Sequence, residues 1–578
     1  MKININKFKQ DSKSKVFIYK DYKKFSYSDG DKNEKRILEI LSDVVNKSCM
    51  SDEIERKITD WISEYHFSPL RHNLFRHIPI AKTDKILELG SGCGAITRFL
   101  GEKKADVYAV EGSLLRAKCT AIRCSDLLNV KVYCSNFEDI EFNNKFDIVT
   151  LIGVLEYAPV YFKRKDPLKY CIDIAKRFLK KNGKLIIAIE NRLGLKYFLG
   201  FNEDHYGKPY IGIQNLYPSN GPKTLGKTEI SKLLAVCGFK NIEFQYPFPD
   251  YKVPNLVVTE KAFQYANFNK SDLIKRYKTR DYYNNISEII DESLIWPILE
   301  QNNLLSDLAN SFLIIASQEN SFPDNHMLAV MYTMDRKDKY RTETKFTSNS
   351  ITRIKVQKRT LLENQIEKNR IISIISNTSD YIDGINLNSL LIKLFNIGDV
   401  KEFIKLLDNW VSFIIKEGLE KKSVEIFRSL IKSDFFDCIP NNIIIQKNKL
   451  AYIDREWKYH KPYSLGMLII RGLYHFQTIN ALDDFIYEKN SSFGTLINKW
   501  FDKINLNISS SLVNEFVKIE NLICDEVYGK EVWQPIRQMQ NKRQMKMHLI
   551  FKSYLHKFKN SLKSTIGYSN QTLNRFKK

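Results

Sequence analysis

Apolar and polar positions along the chain fall into two textures. From Lys85, short apolar runs alternate with amphipathic ones. KILEL, DVYAVE, NVKVYC, FDIVTLIGV and KLIIAIE have strand length. Between them, AITRFLG, SLLRAKCTAIRC and PLKYCIDIAKRFLKK repeat their apolar residues at helical spacing. Strand, helix, strand in this order calls for a mostly parallel sheet with helices packed on it, an α/β fold. After Lys227 the pattern predicts a helix, TEISKLLAVCGF, then two strands, NIEFQYPFP and NLVVTEKAF. The short Pro- and Asp-containing turn between those two makes them an antiparallel hairpin. Residues 1–60 form a polar extension with one helical stretch near Lys35–Asn46, and residues 266–325 read as a helical connector. From His326, MLAVMYTMDR, YRTETKFTS and ITRIKVQKR predict three successive antiparallel strands, followed by helices to about Glu531. This divides the chain into 1–60, 61–265, 266–325, an α+β unit over 326–531, and a tail, 532–578.

Charge changes the picture at one end. Lys and Arg number 90 against 67 Asp and Glu, a formal +23 over 578 residues. Much of this follows from a composition rich in Lys, Ile and Asn throughout. The segment from Val532 to Lys578, however, holds eleven Lys or Arg and no acid. Met547, Phe551, Tyr554, Leu555, Phe558 and Leu562 recur in it at helical spacing. An acid-free basic helix with an apolar stripe fits an anionic membrane surface; nucleic acid is disfavoured, because no recognition motif accompanies the charge. No apolar run approaches the roughly 18–20 residues that span a bilayer, and the N-terminal segment lacks the apolar core of a secretory signal. Nine scattered cysteines without a Cys-x-x-Cys pair suit free thiols in the cytoplasm.

The string ILELGSGCGAITRFL places Glu88, Gly90, Gly92 and Gly94 at a strand-to-helix turn. Glycines there admit positive φ and let backbone approach a ligand. Glu111 ends the next strand, 21 residues after Gly90, where an acid can accept hydrogen bonds from a ribose diol. A dinucleotide competes for this pattern, since Gly90, Gly92 and Ala95 also fit G-x-G-x-x-[GA]. Glu88 weighs against a pyrophosphate and tolerates the cationic end of S-adenosylmethionine. The block from Trp61 to Phe263 resembles class I S-adenosylmethionine-dependent methyltransferases, Rossmann-like domains whose sheet ends in an antiparallel hairpin. That resemblance implies Glu88, Gly90, Gly92 and Gly94 around the methionine part and Glu111 on the ribose. It implies Asn136 and Phe137 at the adenine, and Ile152 through Tyr157 at the methyl-transfer mouth.

Leu155-Glu156-Tyr157 after the fourth strand is not the Asn/Asp-Pro-Pro-aromatic loop of amino-methylating nucleic-acid enzymes, and the loop has no Pro-Cys nucleophile. An oxygen acceptor becomes the default. The strings TDWISEYHFSPLRHNLFR, AIENRLGLKYFLG, NEDHYGKPY and YPFPDYKVP resemble methyltransferases of bacterial surface-polysaccharide (O-antigen) assembly. Tyr65, His66, Ser68 and Arg71 then become walls of the cofactor pocket, and Glu190, Asn191, Arg192, Asp204 and His205 face the acceptor.

In SDFFDCIPNNIIIQKNKLAYIDREW, Asp437 and Asn442 precede a strand, a turn and Asp454. One loop and one hairpin presenting Asp, Asn and Asp suit phosphotransfer: a base for the attacking hydroxyl and two Mg²⁺ ligands at ATP. SDYIDGINLNSLL resembles the hinge of protein kinases and aminoglycoside-phosphotransferase-like kinases. Lys355 or Lys358 would pair the phosphates, with Glu363 or Glu367 as partner. Between Ala329 and Lys358 there is no glycine, so the glycine-rich lid is missing, and the Asp-Phe-Gly triplet is Asp454-Arg455-Glu456. A methyltransferase, a kinase-like domain and an amphipathic tail together resemble bifunctional chain-terminating enzymes of O-antigen synthesis. The resemblance implies a lipid-linked glycan substrate, glycosyltransferase partners and a peripheral place on the inner face of the cell membrane. Asp437, Glu190, His205 and Arg192 are the candidate catalytic groups. A phosphate acceptor would need basic groups such as Arg192, Lys196 and His205 to hold it; a sugar hydroxyl would need a base, Glu190 or His205. A non-catalytic kinase-like scaffold and an RNA methyltransferase are the alternatives.

Overall fold

The computed structural model describes residues 7–22, 31–282, 292–319, 326–356, 371–375, 377–480, 482 and 490–529. The chain forms two compact units, one comprising residues 1–358 with 376–383, the other 359–375 with 384–578. The tail 532–578, Lys358, Glu363 and Glu367 lie outside the described residues.

The first unit is built on one sheet. Its strands are β1 (Phe8–Gln10), β2 (Phe17–Tyr19), β3 (Lys85–Leu89), β4 (Asp106–Glu111), β5 (Val130–Cys134), β6 (Phe146–Ile152), β7 (Leu179–Glu190), β8 (Asn241–Phe248), β9 (Leu256–Thr259), β10 (Ser311–Ser317), β11 (Met327–Thr333), β12 (Thr342–Thr347), β13 (Ser350–Lys355) and β15 (Thr378–Asp380), while β14 (Ile372–Ile374) belongs to the second unit. The order across the sheet is β1-β2-β5-β4-β3-β6-β7-β10-β8-β9-β11-β12-β13-β15. The stretch from β2 to β7 is parallel, with Ile86 opposite Ile148 and Leu151 opposite Ile187. Helices cover both faces of such a sheet, which is why FDIVTLI and KLIIAIE are apolar without alternation.

Three features differ from the sequence pattern. The expected helical connector contains β10, which pairs antiparallel with both β7 and β8: Ile314 stands opposite Ile187 on one side and Phe244 on the other. The hairpin of β8 and β9 forms as expected, with Tyr246 opposite Val258, but the sheet does not end there. Strand β11 pairs with β9, Val330 opposite Val257, and β12, β13 and β15 follow it. The three strands expected to open a separate unit at His326 therefore extend the first unit's sheet. They occupy the free main-chain edge that β9 would otherwise present, and Thr259 Oγ1 donates to Met327 O at 2.8 Å. At the other end the hairpin of β1 and β2 adds to β5, a pairing the polar N-terminal pattern did not suggest. The early helix spans Asp31–Asp43 and buries Ile37 and Leu41. Its buried Glu34 takes Arg116 Nε at 2.8 Å.

In the second unit, β16 (Ile385–Asn386) leads into helices Leu387–Ile397 and Val400–Glu417, which are followed by short strands β17 (Leu419–Lys421), β18 (Leu430–Ile431), β19 (Ile443–Gln446), β20 (Lys449–Tyr452) and β21 (Trp457–Tyr459). Helices Leu465–Ile479, Ser492–Ile504 and Ser510–Tyr528 complete it. Trp410 is its central core ring; its Nε1 donates to Cys438 O at 2.9 Å. Among the described residues, no helix is long and apolar enough to cross a membrane.

Candidate active site

Strands β3 to β7 run parallel, so their C-terminal ends meet along one rim. Ligands bind there in open α/β sheets. The rim carries a cavity of about 480 Å³, lined by residues that directly follow or end these strands: Gly90 and Gly92, Glu111, Asn136 and Phe137, Ile152 and Gly153, and Glu190. Trp61, Tyr65 and His66 of the helix Trp61–Phe67 close one wall.

The glycine turn is left-handed at three positions, φ +85° at Gly90, +55° at Gly92 and +78° at Gly94. The last two differ in what they face. A Cβ on Gly94 would stand 2.9 Å from Thr120 Cα, whereas one on Gly92 would meet nothing within 4 Å and open onto the cavity. Gly94→Ala is therefore expected to cost about 2–3 kcal/mol of stability, from the left-handed backbone and the clash. Gly92→Ala should cost about 1 kcal/mol of stability and weaken S-adenosylmethionine on the order of tenfold or more, by filling ligand space. Denaturant unfolding and calorimetry separate the two.

Glu111 crosses the turn: Gly92 N donates to its Oε2 at 2.8 Å and Ser113 N to its Oε1 at 2.9 Å. Burial raises its carboxyl above the ordinary range, with Arg116 opposing. Asn136 Nδ2 donates to Asp139 Oδ2 at 3.1 Å. Four expected cofactor residues stand behind the wall rather than in it. Ser68 Oγ accepts from Leu70 N at 3.2 Å. Gly94 packs on Thr120. Arg71 donates to Lys252 O at 2.6 Å and lies 4.3 Å from the centre of the Tyr65 ring, so it positions both. Glu88 is buried and takes the Thr97 hydroxyl at 2.5 Å.

Burial pushes the Glu88 carboxyl up to about 8. A carboxyl raised on folding keeps a proton that the unfolded chain has lost, so stability falls as pH rises from about 4.5 to about 8. Relative to Glu88→Gln, the wild type should lose up to about 1.4 kcal/mol per pH unit in that window. Urea denaturation at pH 5 and pH 8 measures it, and parallel curves would refute the assignment.

The far end of the cavity is a buried ionic cluster. It brings together Glu156 after β6, Glu190 at the end of β7, Asp204 and His205 from the loop beyond, and Lys252 after β8. Glu203 Oε1 lies 3.0 Å from His205 Nδ1. On the other side of the ring, Nε2 lies 3.7 Å from Glu156 Oε1 and 3.9 Å from Glu190 Oε2, too long for hydrogen bonds. Lys252 Nζ pairs with Glu190 Oε1, and with Asp204 Oδ1 at 3.3 Å. Both Glu156 oxygens and Glu190 Oε2 are buried without a hydrogen-bond partner. Burial lifts the Glu156 carboxyl above its usual range and His205 only partly offsets this. Burial also raises Glu190, but Lys252, His205 and Lys196 together bring it below. Burial opposes charge on His205, yet Glu190, Glu156 and Glu203 hold the imidazole well above its ordinary value.

Three expected acceptor residues are elsewhere. Asn191 is buried, and its Nδ2 donates to Asp307 O and Ala309 O, both at 2.7 Å. Arg192 is not in the wall; it bonds Glu229 Oε1 at 2.9 Å and Gly212 O at 3.2 Å. Lys196 is buried against Asp204. Sequence reasoning did not single out Lys252 and Tyr251, although YPFPDYKVP contains both, and took Glu156 only as part of the mouth.

Residues 87–187 match a family model described as a methyltransferase domain. The chain carries a methyltransferase domain. Methyl transfer from S-adenosylmethionine is the activity that this match supports. The search of curated proteins returns no match. Among solved structures, the chain is similar to a phosphoethanolamine N-methyltransferase of Haemonchus contortus, at 18% identity over 43% of this chain and 52% of that one, TM-score 0.26. The chain thus spans about half of that enzyme's length. It is also similar to geranyl diphosphate C-methyltransferase of Streptomyces coelicolor A3(2), at 13% identity over 50% and 98%, TM-score 0.27.

The first unit contains every lining residue named above, and Lys355 lies on its sheet at the end of β13. In the second unit, Asn442 Nδ2 donates to Asp437 Oδ2 at 2.9 Å, and Arg471 Nη2 lies 3.1 Å from Asp437 Oδ1. Asp454 follows β20 with φ +57°.

Proposed function

We propose that the methyltransferase domain moves a methyl group from S-adenosylmethionine to a hydroxyl oxygen of a sugar in a bacterial surface glycan. One observation carries the choice of a neutral hydroxyl over a phosphate: the acceptor end holds Glu156 and Glu190 with three buried oxygens that have no hydrogen-bond donor. Of the basic groups a phosphate would need, Arg192 and Lys196 are engaged elsewhere, and His205 sits among Glu203, Glu156 and Glu190. Carboxylates accept bonds from sugar hydroxyls, and Trp61, Tyr157, Tyr161 and Tyr251 offer apolar ring surface for the sugar's C–H faces. The cofactor would take the other half, where a Cβ would fill the open space beside Gly92 and where Glu111, bonded to Gly92 N, would meet its ribose.

The cofactor supplies an electrophilic methyl on a sulfonium. The chain's residues do the rest. Glu111 and the glycine turn fix the donor, Tyr251 and Lys252 shape the acceptor end, and Glu156 takes the hydroxyl proton as the oxygen–carbon bond forms. Orientation of the two reactants supplies much of the rate.

The test is mass spectrometry of the surface polysaccharide with and without the protein, combined with labelled S-adenosylmethionine. Label in a sugar ether is expected; label in a phosphate ester, or none, rejects the reading.

For the second unit, the engagement of Asp437 by Arg471 and Asn442 favours a non-catalytic kinase-like scaffold that gathers glycosyltransferases, over an ATP- and Mg²⁺-dependent kinase using Asp437, Asn442 and Asp454. On this reading ATP with Mg²⁺ leaves the thermal midpoint unchanged, and Asp454→Ala leaves glycan phosphate unchanged. Residues 532–578 are proposed to hold the protein on the inner membrane face. Their deletion should shift it to the soluble fraction.

A further inference from the structure

Glu156, Glu190 and His205 each offer one ligand atom, and these atoms lie within 4.8 Å of one another. Two atoms bound ~2.0–2.2 Å from one ion stand roughly 3–4 Å apart. The separations from His205 Nε2, 3.7 Å and 3.9 Å, are of that size, while both are too long for hydrogen bonds. Both carboxylates are fully buried. Leaving such oxygens without donors is costly, and both oxygens of Glu156 are in that position.

The surroundings complete the picture. Glu203 Oε1 lies 3.0 Å from His205 Nδ1, and its Oε2 accepts from His205 N at 2.7 Å, which fixes the carboxylate. A carboxylate on Nδ1–H fixes the ring with Nε2 turned toward Glu156 and Glu190, and a cation that displaces the Nε2 proton takes the lone pair there, as in carboxylate–histidine–metal arrangements. Lys252 takes Glu190 Oε1 and so leaves Oε2 toward His205.

We propose that Glu156, Glu190 and His205 bind one divalent cation of the Mn²⁺ or Zn²⁺ class at the acceptor end of the cavity. Two carboxylates and an imidazole suit these ions better than Ca²⁺, which takes oxygen ligands alone. The two carboxylate charges match the dication. All three residues line the cavity, so an acceptor hydroxyl can complete the ion's coordination. This role rests on the sugar-hydroxyl reading. The ion polarises the hydroxyl, and its proton passes to the second oxygen of Glu156. The acceptor oxygen bonds the methyl carbon as the carbon–sulfur bond breaks, and sulfur keeps the electron pair as the neutral thioether.

The test uses the full-length chain stripped with a chelator. Mn²⁺ and Zn²⁺ are titrated by calorimetry, and Mn²⁺ also by electron paramagnetic resonance, without acceptor. One ion per chain is expected in the wild type, weakened on the order of 100-fold or more in Glu156→Gln and in His205→Gln. Unchanged S-adenosylmethionine affinity shows that both variants fold. No uptake by the wild type, or uptake retained in either variant, overturns the proposal. Sugar methylation that survives the chelator would overturn the metal and leave the acceptor reading standing. Metal binding without sugar methylation would do the opposite.

Discussion

Glu156→Gln should lower kcat by about 10²–10⁴-fold, the range for losing a positioned proton acceptor, with S-adenosylmethionine affinity unchanged. Glu156 is fully buried, lines the cavity, and has no hydrogen-bond donor on either oxygen. It therefore holds no part of the fold in place through hydrogen bonds. Glutamine keeps its size but removes the carboxylate charge, and with it both the ability to take a proton and the grip on the proposed cation. Because an unpaired buried carboxylate is itself unfavourable, the variant should be no less stable than the wild type. Single-turnover kinetics with a glycan acceptor, run beside thermal unfolding, gives both numbers. A variant that keeps wild-type kcat removes Glu156 from the chemistry.

Arg471→Ala should destabilise the protein by about 3–5 kcal/mol, the cost of leaving buried charge without its partner. The guanidinium is buried between Asp437 and Glu520, at 3.1 Å from the first and paired with the second through Nη1. Its Cζ lies over the Phe436 ring, 4.2 Å from the ring centre. Removing it strands two carboxylates. Arg471→Met with Asp437→Asn and Glu520→Gln removes all three charges together and should recover most of the loss, since replacing a whole buried ionic group is far cheaper than halving it. Denaturant midpoints for the single and triple variants test this; equal losses would show that packing, not charge, sets the cost.

Much of the first site was legible because its signals are local. Gly90, Gly92, Gly94 and Glu111 belong to one strand–turn–helix–strand stretch, and parallel strands place such turns at one rim. The acceptor cluster was legible only in part. Glu190 and His205 sat in recognisable strings, but Lys252 comes from after β8 and Glu156 from after β6. Only the topology brings them together. Strand β10 escaped for another reason: all seven of its residues are buried, so SFLIIAS has no polar alternation to tell a buried strand from a buried helix. The strands after His326 were recognised as strands and given the wrong neighbour, because an edge pairing depends on which edge is free, and β9 offered one.

The position of β10 also governs how the chain can be made. It lies between β7 and β8 in the sheet, yet it leaves the ribosome more than a hundred residues after β7 ends. Until residue 317 emerges, β7 and β8 have no partner between them, and the growing chain presents two unpaired apolar edges of the kind that associate wrongly. Pairing at such separation slows folding. A fragment ended at 265, the domain boundary that the sequence pattern suggests, would hold that vulnerable state permanently. Chaperone dependence should therefore fall sharply once the chain extends past β10.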